Sequence, residues 1–307
     1  MSSSNVYAHA LAAATDAAAA QHYPQGALYV VATPIGNLAD ISLRALHVLN
    51  LAETIACEDT RHSQAMLRAY GIDKTSVQLL AVHQHNEAEA SEKVIERLRN
   101  GQRVAYVSDA GTPGVSDPGA RLVTAVRTHG LRAIPLPGAS SVTALLSVAG
   151  SPSEGLAEQG FLFGGFFPAK ATAKAEFWSL LLVERRCVVL LEAPHRIEAT
   201  ALALSKLEDR TVTVGRELTK QFEEIVTMPV QDFPAWLKVS PTRLKGEFAL
   251  AVHPARMAPE PAQNHKVLKL LLAELPVKTA VRLAAEITGE AKNSVYEAAL
   301  ALKASSC

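Results

Sequence analysis

The sequence predicts an α/β protein: a first domain on a mainly parallel sheet, a second domain with a mixed sheet, and a small helical tail. Three features predict it. Short β-rich runs alternate with helical stretches over residues 27–150, and a composition break at residues 151–160, SPSEGLAEQG, precedes a more strand-rich half. Three further helical stretches follow residues 254–263, where three prolines mark a second linker. At 307 residues, 49% hydrophobic and 20% charged, the chain carries enough apolar material for about two domains of ordinary size.

Taken in order, residues 1–26 are Ser, Ala and polar and read as a flexible tail with a transient Ala-rich helix. ALYVVATP is a strand ending in Pro34-Ile35-Gly36-Asn37, and DISLRALHVL is the helix after it, with Asp40 as its N-cap. The unit recurs as ETIACED with a helix over residues 60–70, VQLLAVH with SEKVIERLRNG, RVAYVSD with ARLVTAVRTHG, and LRAIPLP with SSVTALLSVAG. The second domain, residues 151–255, draws strands from FLFGGFFP, CVVLLEAPH, TVTVGREL, EEIVTMPV and EFALAVHP, with two intervening helices. Helical stretches at residues 266–274, 278–287 and 292–303 make up the tail, residues 264–307. A short turn holding Gly289 joins the last two, a layout shared by helix-turn-helix modules and small helical bundles.

Composition excludes several classes. Thirty Lys plus Arg balance thirty Asp plus Glu, so no global field draws the chain to nucleic acid or to an anionic membrane, and the tail has only six cations against four acids over residues 265–303. Cys57, Cys187 and Cys307 are odd in number and lack ligand spacing, which disfavours a disulfide framework and a thiolate zinc site. The first basic residue is Arg44, so residues 11–20 lack the flank of a secretory signal, and no apolar run reaches membrane-spanning length. A soluble, cytoplasmic chain with no metal and no membrane partner is the expectation.

In parallel sheets, ligands sit beyond the carboxyl ends of the strands. The loops there fail the nucleotide fingerprints: residues 33–37 hold one glycine where a dinucleotide turn needs three, and no Gly-Lys-Ser/Thr triplet forms a P-loop. The densest anomaly is SDAGTPGVSDPG, residues 108–119, whose glycines let backbone approach a ligand and whose Asp109 or Asp117 can accept from ribose hydroxyls or an ammonium group. PLPGASS, residues 135–141, brings two hydroxyls to a helix N-terminus. Glu58-Asp59-Thr60-Arg61 is readable as capping or as chemistry, and Glu192-Ala193-Pro194-His195-Arg196 clusters acid, imidazole and guanidinium. Arg216-Glu217-Leu218-Thr219-Lys220 and Lys245-Gly246-Glu247 add charges that mutual pairing would also explain. No His/Cys/Asp set has metal spacing, and no Gly-x-Ser-x-Gly elbow is present.

In order, TPIGNL, EDTRH, VSDAGTP with DPG, PLPGAS, GGFFPAK, EAPHR, GRELTK and KGE resemble the 16S ribosomal RNA (cytidine 2′-O)-methyltransferase family, RsmI, from residue 28 to about residue 303. The resemblance implies a two-domain fold like that of the tetrapyrrole methylases, a homodimer, and S-adenosylmethionine held between the domains. Its acceptor would be the ribose of cytidine 1402 in 16S ribosomal RNA, within the small (30S) ribosomal subunit. It also implies that Pro34, Asp109, Ala110, Gly111, Thr112, Ser140 and Ser141 line the cofactor, closed over by Leu191, Glu192, Leu218 and Gly246. The chain departs from the family pattern at Leu191, where Tyr is usual, and at Ala139, where many members have Pro.

A sulfonium methyl donor is already activated and needs no metal, whereas a ribose hydroxyl must lose a proton as it attacks. Asp59, Arg61, His195, Arg196, Arg216, Glu217 and Lys245 are therefore expected to form an acceptor-side cluster, cations holding RNA phosphates and one acid or His195 acting as base. Two other functions fit some of these features: carbon methylation of a tetrapyrrole on the same fold, and RNA binding without catalysis.

Overall fold

Strand β1 (Ala27–Val31) lies between β4 (Val104–Val107) and β5 (Arg132–Leu136), and its β-branched and aromatic side chains enter apolar surroundings on both faces. With β2 (Thr54–Cys57) and β3 (Leu79–Ala81) these form a five-stranded sheet in the order β3-β2-β4-β1-β5, every pairing parallel. The structure, a computed structural model, describes residues 7–83, 85–150, 160–207, 210–254, 261–289 and 291–304. The 151–159 part of the expected first linker and the 255–260 part of the second lie outside the described residues, as does Cys307.

Helices α2 (Leu43–Leu51) and α3 (Thr60–Ala69) pack Leu46, Leu49, Met66 and Leu67 on one face of this sheet. On the other face lie Val94 and Leu98 of α4 (Glu87–Arg99) and Leu122 and Val126 of α5 (Gly119–Thr128). Helix α4 carries Glu87 and Glu89 in its first turn and Arg97 and Arg99 in its last, in accord with its dipole. The N-cap of α2 is Ser42, whose hydroxyl accepts from the Ala45 amide at 3.1 Å, and not Asp40. Asn37 caps a short 3-10 turn over residues 38–40, which consumes Asp40 before the helix begins.

The first 26 residues are not a tail where they are described. Helix α1 (Ala8–Ala18) buries Ala14 and Ala18 fully, and Tyr7 meets Tyr70 edge-on with ring centroids 5.4 Å apart. Tyr23 donates to Ala18 O at 3.1 Å, and Tyr29 donates to Pro24 O at 2.8 Å. Tyr7, Leu11, Ala14 and Ala18 recur at helical spacing, and the small alanines let α1 join the α2 side of the core.

The second sheet runs β6-β7-β10-β8-β9, from β6 (Phe161–Phe166), β7 (Cys187–Glu192), β8 (Thr211–Arg216), β9 (Glu224–Pro229) and β10 (Phe248–Val252). Only β6 and β7 pair in parallel, so the sheet is mixed as expected. Helices α7 (Ala171–Val183), α8 (Ile197–Leu204) and α9 (Phe233–Lys238) cover one face around Val188, Leu190, Val212, Phe233 and Leu250. Against the other face, Leu145 of α6 (Ser141–Ala149) joins Leu218, Ala249 and Ala251. Helix α9 has no counterpart in the two helices expected for this half.

Both sheets belong to one compact unit, residues 1–254, and residues 255–307 form a second. The latter holds α10 (Pro261–Glu274), α11 (Val277–Thr288) and α12 (Lys292–Ala304) around Leu268, Val281, Ala284, Val295 and Ala299. Gly289, left-handed at φ +74°, ends α11. No helix among the described residues is long and apolar enough to cross a membrane.

Replacing Ala14 with Glu puts a carboxylate into a fully buried site and is expected to cost about 3 kcal/mol in urea denaturation. An unchanged midpoint would mean that α1 does not pack.

Candidate active site

Strands β1 and β4 are neighbours, yet the chain leaves β1 toward β2 and leaves β4 toward β5 on the other side, with α2 and α5 on opposite faces. Such a reversal opens a crevice at the carboxyl edge. The loops beyond β1 and β4 are tied across it by a two-way backbone bridge: Thr33 N–H donates to Gly111 O at 2.9 Å, and Gly111 N–H donates to Thr33 O at 3.1 Å. Gly111 adopts φ +80°, and a Cβ there would stand 3.2 Å from Ile35 Cγ2, so both conformation and contact call for glycine.

The anomalous loop of residues 108–118 is organised by Asp117. Its carboxylate accepts from the Gly114 amide at 2.6 Å, the Gly119 amide at 2.7 Å and the Tyr106 hydroxyl at 3.0 Å. Burial, then the Asp117 charge, pushes the Tyr106 phenol upward, so it remains a donor. Asp109, by contrast, is exposed and accepts the Asp59 amide at 3.2 Å. Thr112 donates to Ala139 O at 3.0 Å and thereby joins this loop to the one after β5. Ser140 holds the N-cap position of α6, but its hydroxyl accepts no capping bond.

These loops form one wall of a cleft of about 440 Å3, and the second sheet forms the other with Phe166, Leu191, Leu218, Phe248 and Ala249. The cleft takes in every expected cofactor-side residue except Pro34 and Gly246. Pro34 is buried behind Ile35, which lines the space in its place. Gly246 stands behind Glu217: at φ +92°, a Cβ there would meet the Glu217 side chain.

None of the expected acceptor-side residues lines the cleft, and most are held for other reasons. Asp59 caps α3 through the Arg61 amide at 2.8 Å and pairs with the Arg61 guanidinium at 3.1 Å. Those Arg61 bonds hold its carboxyl low, at about 2. Arg196 is engaged by Glu192 at 3.2 Å and by Phe167 O, and the fully buried Glu192 carboxylate also accepts the Thr200 hydroxyl at 2.6 Å. Arg216 donates to the carbonyls of Lys245, Phe222 and Thr242. Glu217, at φ +51°, accepts from Lys220 at 2.8 Å and from the Glu247 amide at 2.9 Å. Burial opposes its ionisation, but these bonds prevail and its pKa is lowered. Arg61, His195 and Lys245 keep exposed side chains.

The cleft also holds residues given no place in the expected site, chiefly Glu58 and Glu247, from two of the charged motifs, and the apolar Ile35, Phe166 and Phe248. Glu58 follows directly on β2, one residue before the capping Asp59. Burial, then the charges of Asp109 and Asp117, raises its carboxyl to about 7. Among the described residues no three His, Cys, Asp or Glu side chains are arranged to hold a metal ion.

Two α/β layers with a crevice of this kind place the chain in the class of the tetrapyrrole (corrin/porphyrin) methylases, whose family model matches residues 27–234. Among solved structures, the uroporphyrin-III-C-methyltransferase of Thermus thermophilus aligns with TM-score 0.53 at 20% identity, over 75% of this chain and 94% of its own. The methyltransferase CobJ aligns with TM-score 0.54 at 17% identity, over 76% of this chain and 97% of its own; both likenesses are of fold. Residues 258–303 match the model of the RsmI C-terminal helix-turn-helix domain. Ribosomal RNA small subunit methyltransferase I of Escherichia coli O157:H7 is 43% identical over 286 residues, 90% of this chain and 95% of its own. Its namesake in Neisseria meningitidis serogroup A is 44% identical over 284 residues, 91% of this chain and 94% of its own. The chain belongs to the ribosomal RNA small subunit methyltransferase I (RsmI) family.

Removing the Asp117 carboxylate as Asp117→Ala strands two amides and a buried phenol. The expected loss is about 2–4 kcal/mol by chemical denaturation. A loss below about 0.5 kcal/mol would mean that Asp117 does not organise the loop.

Proposed function

We propose that this protein transfers the methyl group of S-adenosylmethionine to the ribose 2′-oxygen of a cytidine in 16S ribosomal RNA, cytidine 1402 by family resemblance. The observation that carries the reading is the union, in one chain, of a methylase fold over residues 27–234 and an RsmI-type helix-turn-helix domain over residues 258–303. The tetrapyrrole alternative rests on fold likeness at 20% identity or less, which says nothing of the acceptor, and non-catalytic RNA binding leaves the cleft without a purpose. We place the enzyme in the cytoplasm as a homodimer acting on the 30S subunit.

The cleft fits the cofactor. Its volume suits a nucleoside-sized ligand. Asp109 is the exposed acceptor for ribose hydroxyls or an ammonium group, and Ser140 and Ser141 supply hydroxyls at the α6 N-terminus, where amides attract a carboxylate. Leu191, Leu218 and Ala249 offer an apolar wall, and Ala110, Gly111 and Thr112 bring backbone close. When bound, the cofactor supplies a methyl group already activated on a sulfonium. What remains for the protein is in-line positioning, exclusion of water and handling of the acceptor proton.

The exposed Arg61, His195 and Lys245 are assigned to RNA phosphates. Asp59, Arg196, Arg216 and Glu217 hold the loops that carry them, and Glu192 anchors the EAPHR turn through Arg196 and Thr200. The Glu217–Lys220–Glu247 brace, against Gly246, seats Leu218 at the cleft. Residues 264–307 are assigned to the ribosomal substrate.

The deciding test is radiolabelled methyl transfer to 30S subunits from cells lacking the gene, followed by nuclease mapping. Label at one cytidine 2′-oxygen is expected; cofactor binding without transfer would favour another acceptor, and no cofactor binding would favour the non-catalytic reading. Asp109→Ala is expected to weaken cofactor binding about 10–100-fold by calorimetry. Its thermal midpoint should barely move, since the side chain is exposed, and undiminished affinity would remove Asp109 from the site. Deleting residues 264–307 should leave cofactor affinity intact and weaken 30S binding, and unchanged 30S affinity would sink the role given to the tail.

A further inference from the structure

We infer that Glu58 is the catalytic base that takes the proton of the ribose 2′-hydroxyl, an inference that rests on the methyltransfer reading of the same cleft. Five carboxylates line that cleft; three are committed within the protein, and a fourth, Asp109, is given to the cofactor. Asp117 is bound by two amides and the Tyr106 hydroxyl. Glu192 is fully buried against Arg196 and Thr200. Glu247 is 73% exposed and paired with Lys220 at 3.0 Å. Asp109 is exposed and accepts the Asp59 amide. Glu58 is half-buried and lines the cleft, with no cation bonded to it among the described residues and the Asp109 backbone as its hydrogen-bond partner, which leaves it less bound than Asp117 and less exposed than Asp109.

The groups around Glu58 favour this role. Cys57 and Asp59 flank it on its own segment; Tyr106, Asp109 and Asp117 face it from β4 and the loop beyond; Glu192 and Glu247 stand on the opposite wall. The nearby cations are neutralised elsewhere: Arg61 by Asp59, Arg196 by Glu192, and Lys220 by Glu217 and Glu247. Burial and like charge therefore raise the Glu58 carboxyl to about 7, where it can both take a proton and give it back to solvent near neutral pH. In the step itself, the ribose oxygen bonds to the methyl carbon, the methyl–sulfur bond breaks with its electron pair left on sulfur, and the hydroxyl proton passes to the Glu58 carboxylate.

The signs of two pH effects follow. A base must be ionised, so methyl transfer rises with pH through about 7 and then levels. Stability runs the other way: between 4.5 and about 7 the folded state keeps a proton that the unfolded chain has lost, so Glu58 lowers stability as pH rises across that window.

The test is single-turnover methyl transfer to 30S subunits as a function of pH by the wild type, Glu58→Gln and Glu58→Asp, with cofactor affinity by calorimetry and melting on the same samples. Glu58→Gln is expected to lose about 10²–10⁴-fold in rate, to keep cofactor affinity, and to lose the rise near neutral pH, with Glu58→Asp recovering part of the rate. It should also melt higher than the wild type at about pH 8 and alongside it at about pH 4. An unaltered rate in Glu58→Gln, or a pH-independent wild-type rate if that variant does not fold, overturns the assignment. Loss of cofactor affinity without loss of the saturated rate overturns it too, by making Glu58 a binding residue. A wild type that methylates no 30S subunit overturns the methyltransfer reading and the base with it.

Discussion

Strands β1 and β4 are buried on both faces, so the backbone groups at their carboxyl ends find neither solvent nor a continuing ladder, and the Thr33–Gly111 bridge answers that need. The cleft depends on this bridge. It holds the two loops at hydrogen-bonding distance across the crevice, packs Ile35 over the bare face of Gly111, and leaves Asp109 and Ala110 exposed just before it. The Thr112–Ala139 bond carries the same restraint to the start of α6. The first wall is thus shaped by backbone bonds that need no ligand, which reduces the ordering cost of binding.

The second wall is organised by charge. Glu192, Arg216 and Glu217 all lie at the ends of strands β7 and β8, and each is tied to neighbouring backbone or side chains. Their pairing separates the site's electrostatics into two zones. Cations and their acids brace the loops, while the interior by β2 and β4 keeps Glu58, Asp109 and Asp117 with no guanidinium or ammonium bonded among the described residues. An acid-lined interior suits a ligand that carries positive charge near its reacting atom. It also costs stability, since three carboxylates in one crevice repel, a burden found where a site is built for chemistry.

Periodicity made the alternation of strands and helices legible, and with it the parallel first sheet, because a buried β run followed by a 3.6-residue pattern has few other meanings. The small alanine contacts of α1 were not legible in the same way. Ala14 and Ala18 bury little surface, and the signal lies in their spacing from Tyr7 and Leu11 rather than in hydrophobicity. Asp40 and Ser42 show a second limit: two capping residues two positions apart compete, and the outcome depends on the 3-10 turn that Asn37 starts. Turn chemistry located the loops that line the cleft, since glycines and prolines after a strand advertise unusual backbone. Charged motifs located strand ends but not roles. In Glu58-Asp59 the second acid caps α3 and the first lines the cleft, and sequence offers no means to choose between adjacent carboxylates whose burial differs.

The two departures from the family pattern bear on how much of the site belongs to side chains. Ala139 contributes its carbonyl to Thr112, an acceptor that proline supplies equally, so the residue type can vary while the loop connection stays. Leu191 stands opposite Ala249 in the β7–β10 register, packs against the apolar group of Leu145, Leu218 and Ala249, and with Leu218 and Ala249 lines the cleft. A tyrosine ring there would present apolar surface too, with a hydroxyl in addition. What this chain keeps at both positions is the feature the cleft uses, a backbone acceptor at one and an apolar wall at the other. The tyrosine hydroxyl has no counterpart here, and polar groups such as Asp109, Ser140 and Ser141 line the cleft from the other wall.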